Sequence, residues 1–143
     1  MDVKPLFRAL GVWGVVLILC WVVGSVVSSD ELTVDQKAVV GMVKTQKAME
    51  AYRAKHGSYR GVTVGRLRRI DAGVPKELQP PVVAGEIYAL KLELASGVTY
   101  RLARGIDGRI IRDCSVASGA PVGECKLDAD GANSGRWDAA AGR

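Results

Sequence analysis

Histidine occurs once, phenylalanine once and cysteine three times in the 143 residues of this chain. A single histidine, His56, excludes a metal centre built from several imidazoles. No C-x-x-C is present, which removes zinc ribbons and thioredoxin-type redox motifs. G-x-G-x-x-G, the P-loop, H-E-x-x-H and G-x-S-x-G are missing as well, so the chemistries that need those spacings have no template here. Acidic residues are absent from Val3 to Ser29 and again from Ala51 to Ile70. The first acid-free stretch is apolar and the second is basic. With 48% hydrophobic and 24% charged residues, the chain is neither disordered nor collagen-like, and it is too polar for a multi-span membrane protein.

The apolar stretch runs from Ala9 to Ser29, 21 residues without a charge. As a helix it would span about 30 Å, the thickness of a bilayer core. Lys4 and Arg8 precede it, and Asp30, Glu31 and Asp35 follow it. The positive-inside rule then keeps residues 1–8 in the cytoplasm, makes 9–29 a transmembrane helix of the inner membrane, and sends 30–143 to the periplasm or the cell exterior. A cleaved signal peptide is the competing reading, with Val26 and Ser28 as the small residues before a cut. The run is longer than a usual signal core, however, and no A-x-A follows it. Cys20, Gly24 and Ser28 recur every fourth residue and give the helix a small-residue stripe where a second membrane helix could pack.

Beyond the membrane segment the period is helical. Ala38, Val39, Met42, Val43, Thr45, Met49 and Tyr52 share one face between Thr33 and His56. Thr33 and Gln36 have capping-box spacing, and Gly57 is a natural stop. The stretch from Ser58 to Gly85 is irregular, with a short helix expected over Val64–Ile70. The period then changes to two: Tyr88, Leu90, Leu92 and Leu94 alternate with polar or small residues, as do Val98, Tyr100 and Leu102. Ser96-Gly97 and Asp107-Gly108 read as hairpin turns, the second as a type I′ turn with positive φ at both central residues. Arg109 to Cys114 would form a further strand. The fold class is therefore α+β: an N-terminal transmembrane helix, then an amphipathic helix packed on a three- to four-stranded antiparallel meander. Cys114 and Cys125 would close a short C-terminal loop by a disulfide, the default for an oxidising compartment, worth about 3 kcal/mol.

The segment AMEAYRAKHGSYRGVTVGRLRRI, Ala48 to Ile70, resembles the end of a type IV pilin helix, where a tyrosine is followed by a G-x-Y step and a short helical segment. GVTYRLARGIDGRIIRDC, Gly97 to Cys114, resembles the last pilin hairpin entering the cysteine loop. The chain as a whole is thus similar to the type IV pilin and pseudopilin family. The resemblance implies a long helix, an antiparallel sheet and a C-terminal disulfide loop. Pilins also carry a processing glycine and a glutamate at the fifth position of the mature helix. Here Gly11 is followed five residues later by Val16, and Gly14 by Leu19. Both features of filament assembly are missing.

Three candidate sites remain. Asp128, Asp130 and Asn133 are oxygen ligands in a turn-rich tail, and the resemblance implies calcium there. Their spacing is not that of an EF-hand loop, so a plain surface loop is the alternative and no other cofactor is expected. His56 reads as a solvated residue helped by the helix dipole. The basic stretch supplies Arg53, Lys55, Arg60, Arg66, Arg68 and Arg69 as a docking face, and Arg101, Arg104, Arg109 and Arg112 form a second basic group. Nucleic acid, anionic lipid, an acidic protein surface and plain solvent all suit such charge. Nucleic acid is disfavoured because Tyr52, Tyr59, Tyr88, Tyr100 and Trp137 read mostly as core residues, not as a stacking platform. The expectation is a non-enzymatic, single-span structural subunit of a larger membrane complex, respiratory or photosynthetic complexes being examples. Its partners would be the membrane and other membrane-protein subunits, with no small-molecule substrate. A minor pilin or pseudopilin, serving adhesion, secretion or DNA uptake, is the second reading.

Overall fold

A computed structural model describes residues 32–130 and 133–140. The expected cytoplasmic tail, the apolar segment 9–29 and its stripe of Cys20, Gly24 and Ser28 lie outside the described residues. Among the described residues no helix is long and apolar enough to cross a membrane.

Helix α1 (Val34–His56) starts where the sequence places its cap. Thr33 Oγ1 accepts from the Gln36 backbone N–H at 3.2 Å, and Gln36 Oε1 accepts from the Thr33 N–H at 3.0 Å. This reciprocal box satisfies two of the otherwise unpaired N–H groups of the first turn. The helix stops at Gly57, whose φ of 75° is left-handed and whose N–H donates to the Arg53 carbonyl at 2.7 Å. Its buried stripe is Ala38, Val39, Gly41, Met42, Thr45, Ala48, Met49 and Tyr52, with Val43 half-buried beside it. Thr45, the buried polar member, donates to the Gly41 carbonyl one turn back at 2.7 Å. Helix α2 (Val64–Ile70) is capped by Thr63 and packs against α1, with Leu67 fully buried.

The remaining elements form one antiparallel sheet: β1 (Val82–Ala84), β2 (Ile87–Glu93), β3 (Val98–Arg104), β4 (Ile110–Val116), β5 (Lys126–Leu127) and β6 (Ser134–Arg136). Their order is β1-β2-β3-β4-β6-β5. Leu90 lies opposite Leu102, Leu92 opposite Tyr100, and Tyr100 opposite Cys114, so the alternating apolar residues collect on one face. Helix α1 covers that face at β2 and β3. The resulting core joins Met42, Met49, Tyr59, Leu67, Leu90, Leu92, Tyr100 and Leu102. Each large apolar side chain buried there contributes about 1.5–3 kcal/mol relative to exposure. The disulfide Cys114–Cys125 is formed, with its Cα atoms 5.8 Å apart.

The structure corrects three expectations. The sheet has six strands rather than three or four. β1 follows Pro80-Pro81, and β5 and β6 lie in the Asp- and Gly-rich tail; at two or three residues each they are too short to show alternation. The Asp107-Gly108 hairpin is not type I′, because among the described residues no non-glycine residue has positive φ. Gly108 alone turns left-handed, at φ 77°. Its N–H donates to the Gly105 carbonyl at 3.0 Å, while the Gly105 N–H reaches the Arg109 carbonyl at 2.9 Å. This is the longer hairpin loop with a glycine bulge, which spares Asp107 the steric cost of the left-handed region. The Leu94–Val98 hairpin repeats it, the Gly97 N–H donating to the Leu94 carbonyl at 3.0 Å. Leu94 therefore belongs to a loop, and the third predicted strand begins at Ile110, one residue later than expected.

Candidate functional site

Two polar fasteners hold α1 to the sheet. Glu50, on the helix, receives the Tyr59 hydroxyl at 2.9 Å on each carboxylate oxygen and the Tyr88 hydroxyl at 3.2 Å. Arg104 on β3 approaches the same carboxylate at 3.5 Å and donates to the Glu86 carbonyl at 2.8 Å. The Tyr59 and Tyr88 rings meet edge to face, with centroids 4.9 Å apart. Burial, reinforced by the Glu50 carboxylate, pushes Tyr59 up to about 12. The same causes raise Tyr88.

The second fastener lies at the helix start. The Tyr100 hydroxyl donates to Asp35 Oδ1 at 2.8 Å and accepts the Glu124 backbone N–H at 3.1 Å. One side chain thereby ties the first turn of α1, the middle of β3 and the disulfide loop together. Burial raises Tyr100, with the hydrogen bond to Asp35 as the next cause. Gly123 passes so close to the Asp35 carboxylate that a Cβ there would collide with it. Trp137 stands edge-on to the Tyr100 ring and donates its indole N–H to the Arg101 carbonyl at 3.0 Å. Neither fastener carries a local sequence signal, because its partners are separated by up to 65 residues along the chain.

Of the six predicted docking cations, three line one common hollow. Arg53 pairs with Glu86 and lies over the Tyr59 ring, its Cζ 5.7 Å from the centroid. Arg60 lines a hollow with Ser58, Val83 and Glu86. Arg68 is half-buried, and its Nε is buried with no hydrogen-bond partner. Lys55, Arg66 and Arg69 do come together. They line a concavity of about 330 Å³ whose other walls are Tyr52, His56 and Ile70. No carboxylate lines it. Arg66 is fixed there by two hydrogen bonds from Nη1, to the Tyr52 hydroxyl and the Gly61 carbonyl, both at 3.0 Å. His56, which the sequence suggested as a solvated helix end, is exposed and lies 4.3 Å from the Tyr52 ring, centroid to centroid.

Three members of the second basic group meet a carboxylate, and the fourth, Arg112, meets a neutral amide and keeps a buried Nε without a hydrogen-bond partner. Arg101 bonds Asp113, and Arg104 meets Glu50. Arg109 meets Asp107 at 3.2 Å, and Arg112 donates to Gln46 at 2.9 Å while lying over the Trp137 ring. A larger hollow of about 760 Å³ beside β4 and β6 carries both signs of charge, Arg112, Lys126 and Arg136 with Asp113, Asp128 and Asp138. In the tail, Asp128 and Asp130 are exposed, and the Asn133 carbonyl accepts the Val116 N–H at 2.8 Å. Among the described residues no three His, Cys, Asp or Glu side chains gather as a metal site.

No family model, no curated protein and no solved structure matches this chain.

Proposed function

We propose that the protein is a non-enzymatic structural subunit of a larger membrane protein complex, anchored by the single span 9–29 and docking through the domain that follows. The observation that carries this reading is what the ionisable groups of the domain are used for. Glu50 with Tyr59, Tyr88 and Arg104, and Asp35 with Tyr100, fasten a helix to a sheet. The hollows described above are lined by neither Glu50 nor Asp35. A carboxylate committed to two tyrosines and an arginine is a rivet, not an acid or base facing a substrate. The uncharged run Ala9–Ser29 supplies the anchor, and its basic flank sets the N-terminus inside.

A minor pilin or pseudopilin is the second reading. It is supported by the order of helix, antiparallel sheet and disulfide loop, with that loop returning to the first turn of the helix through Tyr100. The two readings part at the N-terminus. The subunit reading predicts that the mature protein keeps the chain ahead of Gly11 and Gly14, and that gentle detergent extraction leaves it in a large assembly on native gels. Intact-mass measurement showing cleavage after either glycine would select the pilin reading. Migration as a free 15.2 kDa protein would reject the subunit reading.

A further inference from the structure

We propose that Lys55, Arg66 and Arg69 form a binding site for a divalent oxyanion of the phosphate class. The cations converge on one hollow of about 330 Å³, and its six lining residues include no acid. Lys55 and Arg69 have no hydrogen bond or ion pair among the described residues, in contrast to the arginines of β3 and β4. Arg66 is held in advance by Tyr52 and Gly61, which occupy Nη1 and leave Nη2 and Nε for a ligand. A guanidinium fixed before binding loses less freedom on capture, and its planar fork matches a tetrahedral oxyanion.

The helix ends offer a simpler account of these charges, because α1 and α2 both terminate beside the hollow with basic last turns. Each helix end supplies at most about half a negative charge, so the two together offset roughly one of the three cations. About two positive charges remain uncompensated. That surplus suits a divalent anion better than a chloride. The hollow sits at the end of α1 away from Leu32, a helix length of about 34 Å for its 23 residues. The bound group is either free phosphate or the phosphomonoester headgroup of an anionic lipid, and both present the same nearly dianionic tetrahedral oxygens.

The test is titration of the full-length purified chain with inorganic phosphate at constant ionic strength, followed through the arginine side-chain NMR signals. Saturable binding with a dissociation constant at or below about 1 mM is expected. The double variant K55Q/R69Q should bind at least tenfold more weakly, while Arg109→Gln, which meets Asp107 and does not line the hollow, should bind like the parent. Soluble dihexanoyl phosphatidic acid, a phosphomonoester kept below micelle formation, separates the sources. Displacement of phosphate by this lipid identifies a headgroup, and no displacement identifies a free phosphate. Absence of saturation, equal affinity in K55Q/R69Q, or binding of the lipid without binding of phosphate would each overturn the proposal. Unfolding midpoints of the variants, measured alongside, keep a folding defect from passing as lost binding.

Discussion

Two sets of cations, drawn from the same excess of 20 basic over 15 acidic residues, are treated differently by the fold. Arg101, Arg104, Arg109 and Arg112 lie along β3, β4 and the loop between them, and each has an acid or an amide acceptor. Lys55, Arg66 and Arg69, at the junction of α1 and α2, face one another across a hollow with no carboxylate. The first set behaves as part of the structure, and the second is charge that the structure leaves open. Net charge alone would not distinguish them. Charge compensation does: Arg101, Arg104 and Arg109 each meet a carboxylate, whereas Lys55 and Arg69 have no partner among the described residues. Arg66, though hydrogen-bonded to Tyr52 and Gly61, meets no acid, and like charges facing each other oppose folding.

The comparison can be broken most strongly at the frame that carries the paired set. Replacing Cys114 and Cys125 by serine should lower stability by about 3 kcal/mol, the value for a loop of this length, as measured by denaturant unfolding. It should also loosen the Tyr100–Glu124 contact at the loop. Unchanged stability would mean that the short loop is held without the bond. Next in size is Tyr59→Phe, which deletes a hydroxyl bonded to both Glu50 oxygens. A hydrogen bond to a charged group at a buried residue makes the expected loss about 1.5–3 kcal/mol. Arg104→Gln removes a pair whose arginine side chain is only 16% exposed, and should cost about 1 kcal/mol or somewhat more.

The tyrosines give both fasteners a pH signature. Tyr59, Tyr88 and Tyr100 are all raised, Tyr59 to about 12, so the folded domain holds protons that the unfolded chain releases near its ordinary value of about 10. Their contribution to stability is complete below about pH 10 and is lost as the pH climbs toward 12 and beyond. Denaturation midpoints should therefore fall across that window, and Tyr59→Phe should flatten the fall. A midpoint that does not move between pH 9 and about 12 would contradict the burial of these hydroxyls.

Much of the fold was legible because its signals are local. The cap at Thr33, the stop at Gly57, the stripe from Ala38 to Tyr52 and the alternation from Tyr88 to Leu102 all follow from periods and single-residue preferences. The disulfide followed from spacing and from the exported topology expected for the chain. The short strands β1, β5 and β6 were not legible, since two or three residues cannot show a period. The hairpin type was misread at Asp107, where the residue pair suits one turn and the loop length selects another. At the candidate site, the sequence assembled six cations by proximity along the chain. Folding sends Arg53 to Glu86 and half-buries Arg68, and it keeps Lys55, Arg66 and Arg69 together. The rivets at Glu50 and Tyr100 were invisible, because a single acid in an amphipathic helix looks the same whether or not tyrosines 38 and 65 residues away will meet the helix.

The distinction between paired and open charge is tested most directly by comparing the unfolding free energy of K55Q/R69Q with that of the parent at low salt. Removing two like charges relieves their repulsion and forfeits a helix-end interaction at each position, so the two effects offset and stability should stay within about 1 kcal/mol of the parent. A loss of more than about 1 kcal/mol would show that these cations serve the fold after all, and would contradict the account.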